Sequence, residues 1–106
     1  MPSEVLWKDG AASTLISFDA RRNRIVINYG SFAGDFYIYI PKSSWAQLVS
    51  LFASAPLDPG AIEAGAVIVL IVARFGGEAD NPYPAIETFL RDNNVPFKSD
   101  YWVGDR

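Results

Sequence analysis

The sequence predicts an α+β fold: a mixed, mostly antiparallel five-stranded sheet with two helices on one face. Three features predict it. The first 40 residues contain short runs of β-branched and aromatic residues separated by turn-forming segments, and two later segments repeat apolar residues at helical spacing. A continuous apolar run lies between these two segments. A length of 106 residues favours a single domain over residues 1–106.

The N-terminal part is predicted to form a three-strand antiparallel meander from residues 13–18, 24–29 and 36–40. The residues around Trp7, before the turn-like Asp9-Gly10, suggest a short first strand or a tethered arm.

Alternation along these strands assigns their two faces. Ile38 alternates with Tyr37 and Tyr39, and Ile25 and Ile27 share a face in the preceding strand. We therefore expect one aliphatic face for the helices to cover and one amphipathic face that carries the two tyrosines.

The run 66–75 is predicted to be the central strand of the sheet. Its alternating positions are apolar on both sides, it is dense in Val and Ile, and glycines bracket it. The run is too short to span a membrane as a helix, which needs roughly 20 residues.

Two helices and an edge strand complete the prediction. Ser44 and Gln47 form a capping-box pattern before a helix that ends near Ala55, ahead of Pro56. Its inward stripe consists of Trp45, Leu48, Val49 and Phe52. A second helix is expected at 84–93, with a Glu87–Arg91 pair and a left-handed Asn cap, and the last strand at 97–103.

The amino-acid composition limits the catalytic mechanisms that the chain could use. The chain has no cysteine and no histidine, so it lacks the thiolate nucleophile and the side chain most used for proton transfer near neutral pH. Nucleophile-elbow, S-x-x-K and phosphate-loop motifs are also absent. We expect no enzyme and no cofactor. Because no signal-peptide pattern opens the chain, we expect a cytoplasmic protein.

The net charge of −3 makes nucleic acid an improbable partner, since duplex-binding domains carry dense basic surfaces. Arg21, Arg22 and Arg24 form a small basic cluster at one turn. Their guanidinium groups could bind phosphate or an acidic partner, although a solvated hairpin tip is the favoured interpretation, because like charges cluster at exposed turns without any function.

Aromatic residues are the strongest binding signal. Tyr37 and Tyr39 share a strand face, and Tyr101 and Trp102 lie in the predicted edge strand. Tyr and Trp combine a large contact area with a polar group and are enriched at interface hot spots. The same rings could stack on single-stranded bases, or they could simply pack as a second apolar layer.

The loop after the apolar run offers oxygen ligands from Glu78 and Asp80. Such groups suit Ca²⁺ or Mg²⁺, but their spacing matches no complete ligand set, and an acidic turn has the same composition.

The segment from Ile40 to Leu48, Ile-Pro-Lys-Ser-Ser-Trp-Ala-Gln-Leu, resembles the strand-to-helix join of single-stranded nucleic-acid-binding proteins of the Pur type. It covers about a tenth of the chain, and the acidic second half departs from those basic domains.

The leading hypothesis is a small acidic, non-catalytic protein that occupies the surface of a partner protein, as inhibitors, immunity proteins and phage counter-defence proteins do. A second copy of the chain is a possible partner. The alternatives are single-stranded nucleic-acid binding through the arginines and tyrosines, and a carboxylate enzyme or cation site at Glu78 and Asp80.

Overall fold

A computed structural model describes residues 3–31, 34–52, 63–77 and 79–102. Within these residues the chain forms five strands and three α-helices. In chain order they are β1 (Ser3–Asp9), β2 (Ala12–Asp19), β3 (Arg24–Ser31), β4 (Gly34–Pro41), α1 (Trp45–Phe52), α2 (Ala64–Phe75), α3 (Tyr83–Asp92) and β5 (Lys98–Trp102). A short 3₁₀ turn, Lys42–Ser44, leads into α1.

The five strands form one sheet in the order β1-β2-β3-β4-β5, with every neighbouring pair antiparallel. The α+β class, the meander and the edge position of the last strand are confirmed. The residues around Trp7 are a full strand, so the meander has four strands before the first helix. The expectation of a mixed sheet is wrong, because all four pairings between the described strands are antiparallel.

The predicted central strand at 66–75 is also wrong: this run lies in helix α2. Its burial follows a period of four, with Val67, Ile71 and Phe75 buried and Val69 exposed. A strand would instead have placed Val67, Val69 and Ile71 on the same face.

The sheet itself explains why this run is helical. The described strands β1 to β4 each pair with their neighbours in sequence and leave no interior position in the sheet. Five strands spaced about 4.8 Å apart make a sheet about 24 Å wide, whereas a helix covers about 10 Å. Covering the aliphatic face therefore requires a third helix.

Helix propensity opposes this arrangement only weakly. The β-branched residues of α2 cost about 0.5 kcal/mol each relative to alanine. Burial of Val67, Ile71 and Phe75 contributes about 1.5 to 3 kcal/mol each. The burial term is the larger, so tertiary packing decides the conformation.

The predicted capping box at the start of α1 is replaced by contacts over a long sequence distance. The Ser44 hydroxyl, in a buried residue, donates to the Pro96 carbonyl at 2.6 Å. The Gln47 amide donates to the carbonyls of Asn93 and Asn94 at 3.0 and 3.2 Å. Both side chains thus hold α1 against the turn that leads into β5.

The other helix predictions are largely confirmed. The inward stripe of α1 is buried at Trp45, Leu48 and Val49, and its predicted end near Ala55 lies outside the described residues. In α3, Glu87 and Arg91 form the expected pair, and Asn94 has the left-handed φ of 55° expected beyond the helix end.

All three helices cover the same face of the sheet. The buried cluster joins Ile16, Ile25, Ile27, Ile38 and Ile40 of the sheet to the inward residues of α1, α2 and α3. Among the described residues, the opposite face contributes none to this cluster, which confirms the aliphatic and amphipathic faces assigned from alternation. We call this opposite side the open face.

None of the described helices is long and apolar enough to span a membrane.

Two matched truncations in α2 test its helical packing. We expect Ile71→Ala to lower the free energy of unfolding by about 2 to 5 kcal/mol, because it leaves a cavity in the core. Val69→Ala removes methyl groups from an exposed position and should change it by about 0.5 kcal/mol or less. Chemical denaturation would measure both, and equal losses would contradict the helix.

Candidate interaction surface

The open face is defined by the strand register. Cross-strand pairs such as Val26–Tyr39 and Tyr37–Asp100 place their side chains on the same side of the sheet. This side carries Val5, Lys8, Leu15, Asp19, Arg24, Val26, Asn28, Asp35, Tyr37, Tyr39, Lys98, Asp100 and Trp102. Apolar and aromatic side chains thus occupy its middle, with charges around them.

A row of stacked groups crosses this face. The rings of Tyr37 and Tyr39 are parallel within 6°, with centroids 5.9 Å apart. The Arg24 guanidinium carbon lies 3.8 Å from the centroid of the Tyr39 ring. Because Arg24 pairs with Pro41, it approaches Tyr39 from the end of the strand away from Tyr37. Tyr39 is therefore held between Tyr37 and Arg24.

Asp19 anchors the arginine end of the row. Its Oδ2 accepts a hydrogen bond from Arg24 Nε at 3.1 Å, and its Oδ1 accepts the backbone N–H groups of Arg21 and Arg22. Desolvation on the sheet would raise the pKa of Asp19. The hydrogen bonds and positive charge of Arg24, with the turn N–H groups, outweigh it and hold the pKa below its usual value.

Charge differs between the two ends of the open face. Arg24 and Lys98 lie at the Tyr39 end, next to the turn that bears Arg21 and Arg22. Asp35 and Asp100 lie near Tyr37 at the other end. Desolvation raises the pKa of Tyr37, and the charges of Asp35, Tyr39 and Asp100 add to the increase.

The structure divides the predicted aromatic residues between two sites. Tyr37 and Tyr39 are half-buried on the open face, and Trp102, 63% exposed, pairs with Asp35 on the same side. Tyr101 faces the helices, where its ring centroid lies 4.4 Å from that of Phe36. The aromatic residues that the sequence assigned to one binding surface therefore lie on opposite faces of the sheet.

The arginines are likewise divided. Arg24 is part of the open face, whereas Arg21 and Arg22 are exposed in the turn beyond its end. Within the described part of the chain, neither of these two side chains forms an ion pair.

Of the two carboxylates in the alternative cation site, Glu78 lies outside the described residues. Asp80 is exposed and borders a cleft between the end of α2 and α3, together with Arg74, Asn81 and Asp92. The described residues contain no group of three carboxylates placed to hold a metal ion.

Sequence reasoning missed a second cleft on the helical side, between α3 and the β4–β5 edge. Its volume is about 620 Å³. It is lined by Tyr29, Phe36, Tyr83, Pro84, Glu87, Ser99, Asp100 and Tyr101. Burial raises the pKa of Tyr83 to about 12, with the Glu87 carboxylate and Tyr39 adding to the increase. The i, i+4 spacing of Tyr83 and Glu87 was the only signal in the sequence, and it is shared by many helices.

No protein-family model, curated protein or solved structure with which the chain was compared matches it.

The anchoring role of Asp19 predicts a pH dependence. A folded-state pKa below the unfolded value of about 3.9 gives stability that is present above that value and lost as the pH falls through the folded pKa. We expect the difference in unfolding free energy between wild type and Asp19→Asn to be constant near neutral pH and to shrink below about pH 4. Urea denaturation at several pH values would measure it, and a difference that persists unchanged to the lowest pH would contradict the anchor.

Proposed function

We propose that this chain is a non-catalytic protein-binding module that occupies a partner protein through its open face. The observation that supports the proposal most is the stacked row of Tyr37, Tyr39 and Arg24 on a sheet face that no described helix covers. A sheet normally buries one face and leaves the other to water or to a partner.

The residue types in the row are those that dominate binding energy at protein interfaces. Tyr, Trp and Arg are enriched among hot spots, and the exposed Trp102 adds a further large side chain at the rim. Stacking and the Asp19 hydrogen bond restrict the rotamers of the row before binding. Ordering these side chains on binding would therefore cost less conformational entropy.

The charges favour a particular partner chemistry. Arg21 and Arg22 are exposed at the basic end and form no ion pair within the described residues. The middle of the face is aromatic and aliphatic. We therefore propose a protein partner with an apolar patch for the tyrosine row and acidic side chains for the arginine turn. A small inhibitor or regulator of that partner, of the immunity or counter-defence type, fits this description.

Single-stranded nucleic-acid binding has less support. Base stacking needs an accessible ring face, and Tyr39 lies between Tyr37 and Arg24. Arg24 is also engaged by Asp19, which leaves two arginines for phosphate. A carboxylate enzyme at Glu78 and Asp80 gains no support from the described residues.

Three variants test the proposal. We expect Tyr37→Ala and Tyr39→Ala to remain folded, with a loss of about 1 kcal/mol of unfolding free energy from the aromatic pair. Each should weaken partner binding by about 30-fold, which corresponds to a hot-spot loss of about 2 kcal/mol. Val69→Ala, on the exposed side of α2, is the matched control and should bind like wild type.

The measurement is quantitative affinity capture from the native host, followed by calorimetric titration of the purified partner with the variants. A protein captured by wild type and Val69→Ala, but lost with both tyrosine variants, supports the proposal. Binding that survives both variants places the interface elsewhere and overturns it. A stable homodimer that the tyrosine variants dissociate also overturns it, because a second copy then occupies the open face.

A further inference from the structure

The cleft between α3 and the β4–β5 edge combines aromatic rings with one carboxylate. The Tyr29 centroid lies 5.7 Å from that of Phe36 and 6.0 Å from that of Tyr83. The Tyr101 ring extends this cluster from β5 and is 47% exposed. The rings therefore form a continuous wall that begins in the core and reaches solvent.

Glu87 supplies a negative charge to the same cleft. It lies one helical turn after Tyr83 in α3, and both residues line the cleft. Asp100 also borders the cleft, but its pairing with Tyr37 assigns its side chain to the open face. Among the described residues, the lining of the cleft contains neither Lys nor Arg.

From this combination we infer that the cleft binds a quaternary or methylated ammonium group. Aromatic rings attract such cations through their negative faces, and a nearby carboxylate adds a Coulombic term that an apolar ligand cannot use. The volume of about 620 Å³ lies within the range of ligand clefts and leaves space for a chain attached to the cationic head.

The Arg91 guanidinium does not occupy the cleft in place of the proposed ammonium ligand. It reaches Glu87 with a contact of 3.4 Å between Nη2 and Oε2, its side chain is 64% exposed, and it is not part of the cleft lining. Exposed i, i+4 pairs of this kind contribute only a few tenths of a kcal/mol. The carboxylate therefore remains able to attract a second cation.

Choline and its uncharged isostere, in which a tert-butyl group replaces the trimethylammonium head, are the first probes. The two molecules have nearly the same shape and differ in charge. We expect choline to bind the wild-type chain at least tenfold more tightly, measured by chemical-shift titration of the Tyr101 and Glu87 resonances. A peptide with trimethyllysine, compared with the same peptide carrying unmodified lysine, tests a protein-borne source of the group.

Four variants locate the site. Tyr101→Ala should weaken choline binding by about tenfold, equivalent to about 1.4 kcal/mol, whereas Tyr101→Phe keeps the ring and should bind like wild type. Glu87→Gln should weaken it, while Glu4→Gln removes the same charge from an exposed residue of β1, at the opposite edge of the sheet, and should not.

Selective binding of choline or of the trimethyllysine peptide, lost in Tyr101→Ala and Glu87→Gln, supports the inference and identifies the source of the cation. Equal binding of choline and its isostere together with equal binding of the two peptides, or no saturable shift with any probe, overturns it. None of these variants belongs to the tyrosine row, so the test is independent of the proposed function.

Discussion

One-sided burial of the sheet is the constraint on which the rest of the structure depends. The isoleucines of β2, β3 and β4 are fully buried beneath three helices, while the alternate residues of the same strands are not. Because successive side chains of a strand point to opposite faces, burying Ile38 and Ile40 places Tyr37 and Tyr39 on the other side. The open face is therefore a consequence of the core.

The same constraint shows why the sequence misled at 66–75. Local composition favoured a strand there, since Val and Ile are dense and apolar residues occupy both alternating sets. The deciding information is not local: it is the width of the aliphatic face and the lack of an interior gap in the meander. The assignment of faces in β3 and β4 is correct despite the wrong prediction at 66–75, because it depends only on alternation within those two strands.

The candidate sites were predictable to different degrees. The positions of Tyr37 and Tyr39 followed from period-two alternation, which needs only a few residues of sequence. The stacking of Arg24 on Tyr39 required the exact pairing of β3 with β4. The cleft required α3 to lie against the β5 edge, a contact between segments with no shared pattern. Ser44 and Gln47 illustrate the same limit. Their spacing predicts a local capping box, but their side chains instead donate hydrogen bonds to backbone carbonyls that are distant in the sequence.

Register also links the two aromatic sites to each other. Tyr29 pairs with Phe36 on the helical side, and Asn28 pairs with Tyr37 on the open face, one residue away on both strands. A shift of one residue in either strand would move its side chains to the opposite faces. It would place the polar Asn28 beneath the helices or leave the cleft without its aromatic wall. The core isoleucines oppose such a shift, so the packing that stabilises the fold also keeps the tyrosine row and the cleft on separate sides of the sheet.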